Sequence, residues 1–491
     1  AGSSSKTPFK HREFAPHDAD IMNEIWFPLK GTGGMVAVSP HGVLNLIREN
    51  KQEATILLSA LQAVDDELRV FINGENKLSI PVTLKPLEIF TTSIEASEAD
   101  TLEIILGEKL LSYATPGNEI LVDRPLLPAG DFNWHSAYGL YLKGLELEKQ
   151  RAYADAEHEY LKAAEQDPGF LPALNRLALG HYRKMDLSTA HAFVLRALAI
   201  DTYDGEANYL LGLICRNMGD RPTSKSGFSI AMGTVAYRSA AASELASMFL
   251  SEKYWGKAAR YARKALNYNN FSMDAMETLA IAYRKQGRAA EMKSVLDSIS
   301  TLDGNSHFSR FEQFLLTGDA SARAHFVKNI TNEFPQETFL DLAIRYTKKG
   351  CNKEALQVLE LAAEDPVVDL WLAYLDPDKA SFYLNRCLDQ PADFVFPHRM
   401  ETAGVIASML GKRSHWKLHY YYGLILWNKG LLSEAQEQFN ACGDEPDYAP
   451  FYLARVKLGE AKEDQLNSLT RATELAPEDW RSAQALSLIH I

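Results

Sequence analysis

The sequence predicts a two-part fold, in which an N-terminal antiparallel β-sandwich segment is followed by an all-α superhelix of repeated helical hairpins. Three observations predict it. Short apolar segments alternate with turn-forming residues as far as residue 130, the apolar period becomes helical from Asp131 onward, and small residues recur every 34 positions from Gly144. With 491 residues the chain is also too long for one ordinary hydrophobic core.

Residues 20–130 are predicted to form the sandwich segment, because they contain several short strand-like stretches at the spacing of an all-β fold. Turn signals such as Asn73 with Gly74 separate these stretches. Asp65, Asp66 and Glu67 are expected in a turn, where water would solvate their carboxylates. The best strand candidates are residues 54–61, 68–72 and 102–106.

Both ends of the chain are set apart from the predicted fold. Residues 1–19 are polar and are predicted to form a disordered leader. Residues 486–491 resemble the in-frame translation of a sequencing adapter, and we exclude them from the fold prediction. The sequence starts without methionine, so its first residues cannot assign a compartment, and a cytoplasmic location is the default expectation.

A 34-residue repeat dominates residues 131–305. Positions twelve, sixteen and nineteen residues after each recurring small residue are again small or apolar in every copy. Small residues at matching positions let two antiparallel helices approach closely, and an apolar side chain between them fills the gap to the next hairpin. Because no hairpin buries its apolar face alone, stacking supplies the core. The recurring small residues are Gly144, Ala178, Gly212, Ala246 and Ala280.

This spacing resembles the tetratricopeptide repeat, with five regular copies predicted in residues 131–305. Residues 306–485 are predicted to hold further, degenerate copies, since Ala343 with Ala355 and Gly423 with Ala435 keep the spacing of twelve. The resemblance implies a non-enzymatic scaffold that mediates protein–protein or interdomain binding. No catalytic residue, cofactor or metal site is predicted.

Three short motifs accompany this order of a β-region and repeats. They are residues 24–29 with 31–35, residues 203–207 (Tyr-Asp-Gly-Glu-Ala) and residues 396–401 (Phe-Pro-His-Arg-Met-Glu). Together they resemble the bacterial family called domain of unknown function 5107. That resemblance implies a galactose-mutarotase-like β-supersandwich before the repeats, and therefore a link to carbohydrate. The alternative function is the platform part of a carbohydrate-binding or carbohydrate-active protein whose mutarotase-like domain is mostly missing from this sequence.

Composition bears on the class of partner. The formal net charge of −13 argues against nucleic acid, because phosphate binding needs a basic surface. The sequence contains no apolar run long enough to span a bilayer, so no membrane partner is predicted. The cysteines form no closely spaced pair and are predicted to be inert, half-buried thiols rather than disulfides or metal ligands. They are Cys215, Cys351, Cys387 and Cys442.

The candidate functional surface is a groove lined by the first helix of each hairpin. In tetratricopeptide proteins, side chains about one turn before and after the small residue line this groove, and here they are polar, aromatic and locally basic. They predict a protein or peptide partner with an acidic or C-terminal segment, held by arginine side chains. The alternatives are that the groove packs against the chain's own β-domain or holds solvent. The selected residues are Tyr141, Asn175, Tyr182, Arg183, Tyr209, Arg216, Asn217, Arg284 and Lys285.

Overall fold

Residues 26–50, 52–115, 132–459 and 461–489 are described by a computed structural model of the chain. The contacts of the chain divide it into two compact units after Phe132, close to the predicted boundary at residue 130. The predicted leader, residues 1–19, lies outside the described residues.

In the N-terminal unit, the described residues form eight strands in two antiparallel sheets. The strand order is β1-β2-β3-β6 in one sheet and β5-β4-β7-β8 in the other. The strands are β1 (Ala37–Ser39), β2 (Gly42–Asn50), β3 (Glu53–Ala60), β4 (Val64–Ile72), β5 (Glu75–Leu84), β6 (Ile89–Glu95), β7 (Leu102–Leu106) and β8 (Leu111–Ala114).

One apolar core joins the two sheets. Ile56 and Leu58 of β3 are fully buried, as are Leu68 and Val70 of β4 on the other sheet, and all four belong to the same cluster. Since successive side chains of a strand point to opposite faces, this alternation places one face of each sheet against the other. The predicted sandwich segment is therefore confirmed.

The prediction of a turn at Asp65, Asp66 and Glu67 is wrong, because these residues begin β4. They pair with β5, whereas β7 pairs with β4 only from Leu68 to Ile72. The start of β4 thus extends beyond its neighbour on one side, and all three carboxylate side chains are exposed. An overhanging strand end tolerates consecutive charges that a strand paired on both sides would bury.

The regular repeats form five antiparallel helical hairpins in the C-terminal unit. Their bounds keep the predicted register without an insertion. The hairpins are α1 (Ala137–Lys149) with α2 (Tyr153–Gln166), α3 (Leu171–Arg183) with α4 (Leu187–Ile200), α5 (Gly205–Asn217) with α6 (Arg221–Ala231), α7 (Arg238–Ser251) with α8 (Trp255–Tyr268), and α9 (Met273–Lys285) with α10 (Ala289–Leu302).

The recurring small residues lie where the two helices of a hairpin approach each other. A Cβ atom at Gly144 would come within 2.4 Å of the Tyr160 ring, and one at Gly212 would come within 2.6 Å of the Phe228 ring. Ala246 and Ala280 are fully buried. At Gly144 and Gly212 the large residue sixteen positions later therefore occupies the space that the glycine leaves. The tetratricopeptide-like solenoid is confirmed.

The second half keeps the hairpins but loses their regularity. An additional helix, α17, lies between two hairpins and packs on both α15 and α18. The helices are α11 (His307–Thr317), α12 (Ala320–Lys328), α13 (Pro335–Lys348), α14 (Asn352–Leu359), α15 (Pro366–Leu375), α16 (Ala380–Asp389), α17 (Met400–Leu410), α18 (Trp416–Asn428), α19 (Leu432–Ala441), α20 (Ala449–Lys457), α21 (Lys462–Leu475) and α22 (Trp480–Ile489). Since α22 includes residues 486–489, part of the predicted tail is helical, and its adapter origin stays a prediction.

All four cysteines are free and buried, in agreement with the predicted inert thiols. Burial raises the pKa of the Cys351 thiol to about 12 and that of Cys442 to about 12, so the reactive thiolate is scarce at neutral pH. We expect a disulfide-exchange reagent such as Ellman's reagent to label none of them in native protein at pH 7.5 and all of them in guanidinium chloride. Fast labelling of the native protein would show that a thiol is accessible.

Candidate partner-binding groove

The residues predicted to line the groove all lie on the first helices of the regular hairpins. The helix α1 carries Tyr141, α3 carries Asn175, Tyr182 and Arg183, α5 carries Tyr209, Arg216 and Asn217, and α9 carries Arg284 and Lys285. The side of these helices that bears the nine residues is called the groove face below.

Most polar members of the groove face already have partners within the chain. Arg183 Nη1 donates to Glu148 Oε1 at 2.9 Å, and Arg216 forms an ion pair with Glu244. Asn217 Nδ2 donates to the Tyr182 hydroxyl at 3.2 Å. The basic character that the sequence predicts is thus partly neutralised by acidic residues that the repeat pattern did not select.

Tyr141, Tyr209 and Asn175 contribute mainly to packing. The Tyr141 ring lies 5.9 Å from that of Tyr160, and the Tyr209 ring lies 5.5 Å from that of Phe228, both measured between ring centroids. Asn175 is buried and its Nδ2 donates to Asp204 Oδ1 at 3.0 Å, which ties α3 to the start of α5.

The basic pair on α9 is covered by the chain itself. Arg284 donates to both carboxylate oxygens of Glu312 at 2.7 and 3.1 Å and to Glu354 at 2.9 Å. Lys285 Nζ donates to the same Glu354 carboxylate at 2.5 Å. Glu312 lies on α11 and Glu354 on α14, and both are buried. Arg284 and Lys285 therefore hold the seventh hairpin against the fifth.

The end of α13 continues this contact. Lys349, which is fully buried, donates to Asp274 at 2.5 Å and lies 3.8 Å from Glu277. Burial raises the pKa of Glu277, although the nearby Lys349 and Arg345 oppose that change. The Asp274 side chain is 53% exposed, and the Lys349 ammonium lowers the pKa of its carboxyl. The groove face of α9 is thus filled by α13 and α14, while docking of the groove against the β-domain stays a prediction.

The groove face of the first two repeats opens on a cavity of about 980 Å³. One wall comes from α1 to α3 and includes Tyr182 and Arg183, two of the predicted residues. The opposite wall comes from Met400 at the start of α17 and from residues 428–432 between α18 and α19. We call this space the repeat 1–2 cavity. Its charged lining residues are Arg176, Arg183, Lys184, Lys429, Glu148 and Glu157.

Two of the nine residues selected from the sequence, Tyr182 and Arg183, line this cavity, and the sequence analysis selected no residue of the opposite wall. Arg176 follows the selected Asn175, and Glu148 occupies in the first repeat the position that Tyr182 occupies in the second, so a wider reading of the repeat would have included both. The repeat pattern does not select Lys429 or Met400, because both belong to the irregular second half. They lie near the first repeats only because of the path that the folded solenoid takes.

The described ranges contain no cluster of histidine, cysteine, aspartate or glutamate side chains arranged to hold a metal ion. Among the helices of these ranges, none combines the length and the apolar character needed to cross a bilayer.

Comparison with known proteins gives similarity to repeat structures at low identity. The solved structure of YrrB, a tetratricopeptide-repeat protein described as having an unusual peptide-binding site, is 15% identical, with a TM-score of 0.31, and the match covers 36% of this chain and 91% of that one. The structure of pilF from Pseudomonas aeruginosa is 12% identical, with a TM-score of 0.28, over 50% of this chain and 91% of that one.

A third similar structure is the C-terminal part of a tetratricopeptide repeat-containing protein from Cytophaga hutchinsonii. It is 14% identical, with a TM-score of 0.33, over 54% of this chain and 98% of that one. No family model matches the sequence, and no curated protein matches it. The resemblance to the family called domain of unknown function 5107 is therefore not confirmed, and the tetratricopeptide-like assignment of the C-terminal unit rests on its own repeat geometry.

Proposed function

We propose that the C-terminal unit is a protein-binding scaffold without a catalytic role, and that it binds an acidic segment of a partner in the repeat 1–2 cavity. The observation that carries the proposal is the cavity itself, since it joins predicted groove residues to an excess of cationic side chains. Its volume of about 980 Å³ is at the upper end of the range for sites that enclose a ligand.

The charge of the cavity differs from that of the whole chain. Four cationic side chains and two carboxylates line it, in a protein whose net charge is −13. Glu148 pairs with Arg183 at 2.9 Å and with Arg176 at 3.9 Å, and Glu157 pairs with Lys184, so the four cations of the lining exceed its carboxylates by two charges. A cationic pocket in an otherwise acidic protein favours segments rich in aspartate and glutamate.

The fifth repeat provides an internal example of this recognition. Arg284 and Lys285 occupy the repeat positions that Tyr182 and Arg183 occupy three copies earlier. On α9 this pair of positions holds the carboxylate of Glu354. The contact supports the proposal because it places a carboxylate on the same part of the first helix that faces the cavity in repeat 2.

Apolar surface in the cavity adds a second requirement on the partner. Tyr153, Tyr160, Tyr182, Leu177 and Leu432 contribute to its walls, together with Met400. Aromatic rings supply large, rigid contact area at a low cost in conformational entropy. The best-fitting segment therefore alternates carboxylates with aromatic or aliphatic side chains.

Fluorescence polarisation of labelled peptides of about ten residues tests the proposal on the full chain. We expect a peptide of interleaved glutamate, leucine and tryptophan to bind, and a peptide with lysine in place of glutamate not to bind. Arg183→Glu and Lys429→Glu reverse charges on opposite walls, and each is expected to weaken binding by about tenfold or more. The matched control is Arg196→Glu on the exposed face of α4, outside the cavity lining.

Equal binding by Arg183→Glu, Lys429→Glu and the unaltered protein would contradict the proposal, provided that circular dichroism shows the same helicity for all variants. Loss of binding in the Arg196→Glu variant as well would show that peptide binding depends on the overall charge of the chain and not on the cavity. The alternative of a carbohydrate-related platform is supported neither by the described residues nor by the comparisons.

A further inference from the structure

The β-sandwich has one sheet edge that lacks the usual protection against pairing with another strand. In the described part of the chain, β1 and β6 are the edge strands of one sheet, and β5 and β8 are those of the other. An edge strand presents a row of backbone amide and carbonyl groups without strand partners. Natural proteins protect such edges by keeping the strand short, or with proline, charged side chains or a bulge.

Three of the four edge strands are protected in these ways. The strands β1 and β8 span only three and four residues. The longer β5 carries Glu75, Lys77 and Pro81, and its register with β4 shifts once. In β6, by contrast, seven residues pair with β3 in an unshifted register, proline and lysine are absent, and the one charged residue is Glu95 at the end. The free edge of β6 is therefore regular and almost uncharged.

The backbone groups of alternate β6 residues point to this free edge. The Ala60 amide donates to the Glu88 carbonyl at 3.1 Å, and the Ala96 amide donates to the Gln52 carbonyl at 2.9 Å. Hydrogen-bonded and non-hydrogen-bonded pairs alternate in an antiparallel ladder, so the even-numbered residues of β6 bond to β3. The backbone groups of the odd-numbered residues point away from β3, where no described strand pairs with them. These residues are Ile89, Thr91, Ser93 and Glu95.

The inward side chains of β6 also lack cover on the free side. Phe90 and Ile94 pack on the core of the sandwich, but both are only half-buried. The corresponding residues of β3, Ile56 and Leu58, are fully buried between two neighbouring strands. A further strand beside β6 would therefore complete the cover of Phe90 and Ile94.

The strand β6 can pair with a second copy of itself about its own middle residue. Thr92 is the central residue of the seven, so a two-fold axis at Thr92 aligns two antiparallel copies along their whole length. The axis places Thr91 opposite Ser93 of the second copy, and both have backbone groups that point to the free edge. This register therefore lets the odd-numbered residues exchange hydrogen bonds, as an antiparallel ladder requires.

The side chains match in the same register. Phe90 lies opposite Ile94 of the second copy, and an aromatic side chain opposite a β-branched one is a favourable cross-strand pair. Glu95 lies opposite an isoleucine, and the two copies of Glu95 are at opposite ends of the ladder. Two more carboxylates, Glu53 beside Glu95 on β3 and Glu88 just before the strand, lie at these ends. Salt that screens their repulsion is therefore expected to strengthen the pairing.

We propose that the chain forms a two-fold dimer through β6, in which the β1-β2-β3-β6 sheets of two copies join into one continuous sheet. The interface is one strand wide and about 23 Å long. Because it is small, we expect a dissociation constant on the order of 10 µM. The inference goes beyond the proposed groove function, since it concerns the N-terminal unit and uses neither the cavity nor the repeats.

Sedimentation velocity of the full chain tests the proposal. We expect mostly monomer at about 1 µM and mostly dimer at about 100 µM. Thr91→Lys with Ser93→Lys places cations opposite each other across the axis and is expected to weaken dimerisation by about tenfold or more. The matched control is Ser79→Lys with Thr83→Lys, which makes the same two changes at exposed positions of the protected edge strand β5.

Single cysteines test the register. A non-hydrogen-bonded antiparallel pair has Cα atoms about 4.5 Å apart, within the range of a disulfide. Mild oxidation of Thr92→Cys is therefore expected to give a covalent dimer in non-reducing electrophoresis. Thr91→Cys is expected to cross-link about tenfold less, because its two copies are diagonal neighbours about 7–8 Å apart. The four native cysteines are buried and should add little background.

A chain that stays monomeric at about 100 µM would overturn the proposal, whatever other segment the edge then binds. So would a dimer that the lysines on β6 leave intact, or one that the lysines on β5 dissociate equally. Equal cross-linking of Thr91→Cys and Thr92→Cys would exclude the two-fold register and the proposal with it. If circular dichroism shows that the lysine variants are unfolded, the two cysteine variants decide.

Discussion

Replacing Lys349 with methionine is expected to lower the free energy of unfolding by about 3–5 kcal/mol, the usual cost of removing one partner from a buried ion pair. The Lys349 ammonium is the shared partner of Asp274 and Glu277, at 2.5 and 3.8 Å. Methionine fills a similar volume but leaves the buried Glu277, among the residues that the structure describes, with Arg345 as its remaining ion-pair partner. The change therefore removes charge compensation and little packing.

The pH dependence of this loss has a definite sign. Burial already raises the pKa of Glu277 above that of an unfolded glutamate, and removal of Lys349 raises it further. A native carboxyl with a raised pKa binds more protons than the unfolded one, so stability falls as pH rises through the interval between the two pKa values. The variant is thus expected to lose less stability at pH 5 than at pH 8.

Urea unfolding followed by circular dichroism measures both effects. The control is Lys348→Met, one residue earlier, where the ammonium lies 2.7 Å from Glu401 but is half exposed. Exposed pairs contribute about 0–1 kcal/mol, so this variant should unfold almost as the unaltered protein does. Similar losses for both lysines would show that the contact of α13 with α9 contributes no special stability.

Gly212→Ala is the second substitution with a large expected effect, a decrease of about 1–3 kcal/mol in the free energy of unfolding. Alanine is intrinsically better than glycine in a helix by about 1 kcal/mol, so propensity alone predicts the opposite sign. The added Cβ would lie 2.6 Å from two carbons of the fully buried Phe228 ring, which has no space to move. The free-energy cost of overpacking against Phe228 is therefore expected to exceed the gain in helix propensity.

Gly404 in α17 provides the matched control, because nothing lies within 4 Å of a Cβ at that position and the residue is exposed. Gly404→Ala is expected to raise the free energy of unfolding by about 0.5–1 kcal/mol. Thermal unfolding of the two variants should shift in opposite directions. A stabilising Gly212→Ala would refute the close approach of α5 and α6.

The regular part of the fold was predictable because its determinants are local. Gly144 and Tyr160, or Gly212 and Phe228, are sixteen residues apart in the sequence, and the same spacing of small and apolar residues recurs in every copy. The strands followed from similar short patterns. The carboxylates at the start of β4 misled the prediction, since nothing local shows that β7 ends short of them.

The site was predicted less completely, because its decisive contacts are not local. The repeat template selected Arg284 and Lys285, but their partner Glu354 is about seventy residues away in a copy with a weak signal. Lys429 reaches the repeat 1–2 cavity from still farther along the chain. The pattern of a single repeat does not predict which later hairpin will contact the earlier ones.

The return of α13 and α14 onto α9 changes the mechanics of the solenoid. In a solenoid whose repeats contact only their neighbours, each repeat can move relative to the next, and extension can occur at every interface between repeats. Here the ion pairs of Arg284 and Lys285 with Glu354 and of Lys349 with Asp274 act as a clasp between the fifth and the seventh hairpin, and Arg284 also pairs with Glu312 of the sixth. We therefore expect extension to be concentrated in the hairpins on either side of this clasp, with the stretch from α9 to α14 moving as one stiff body.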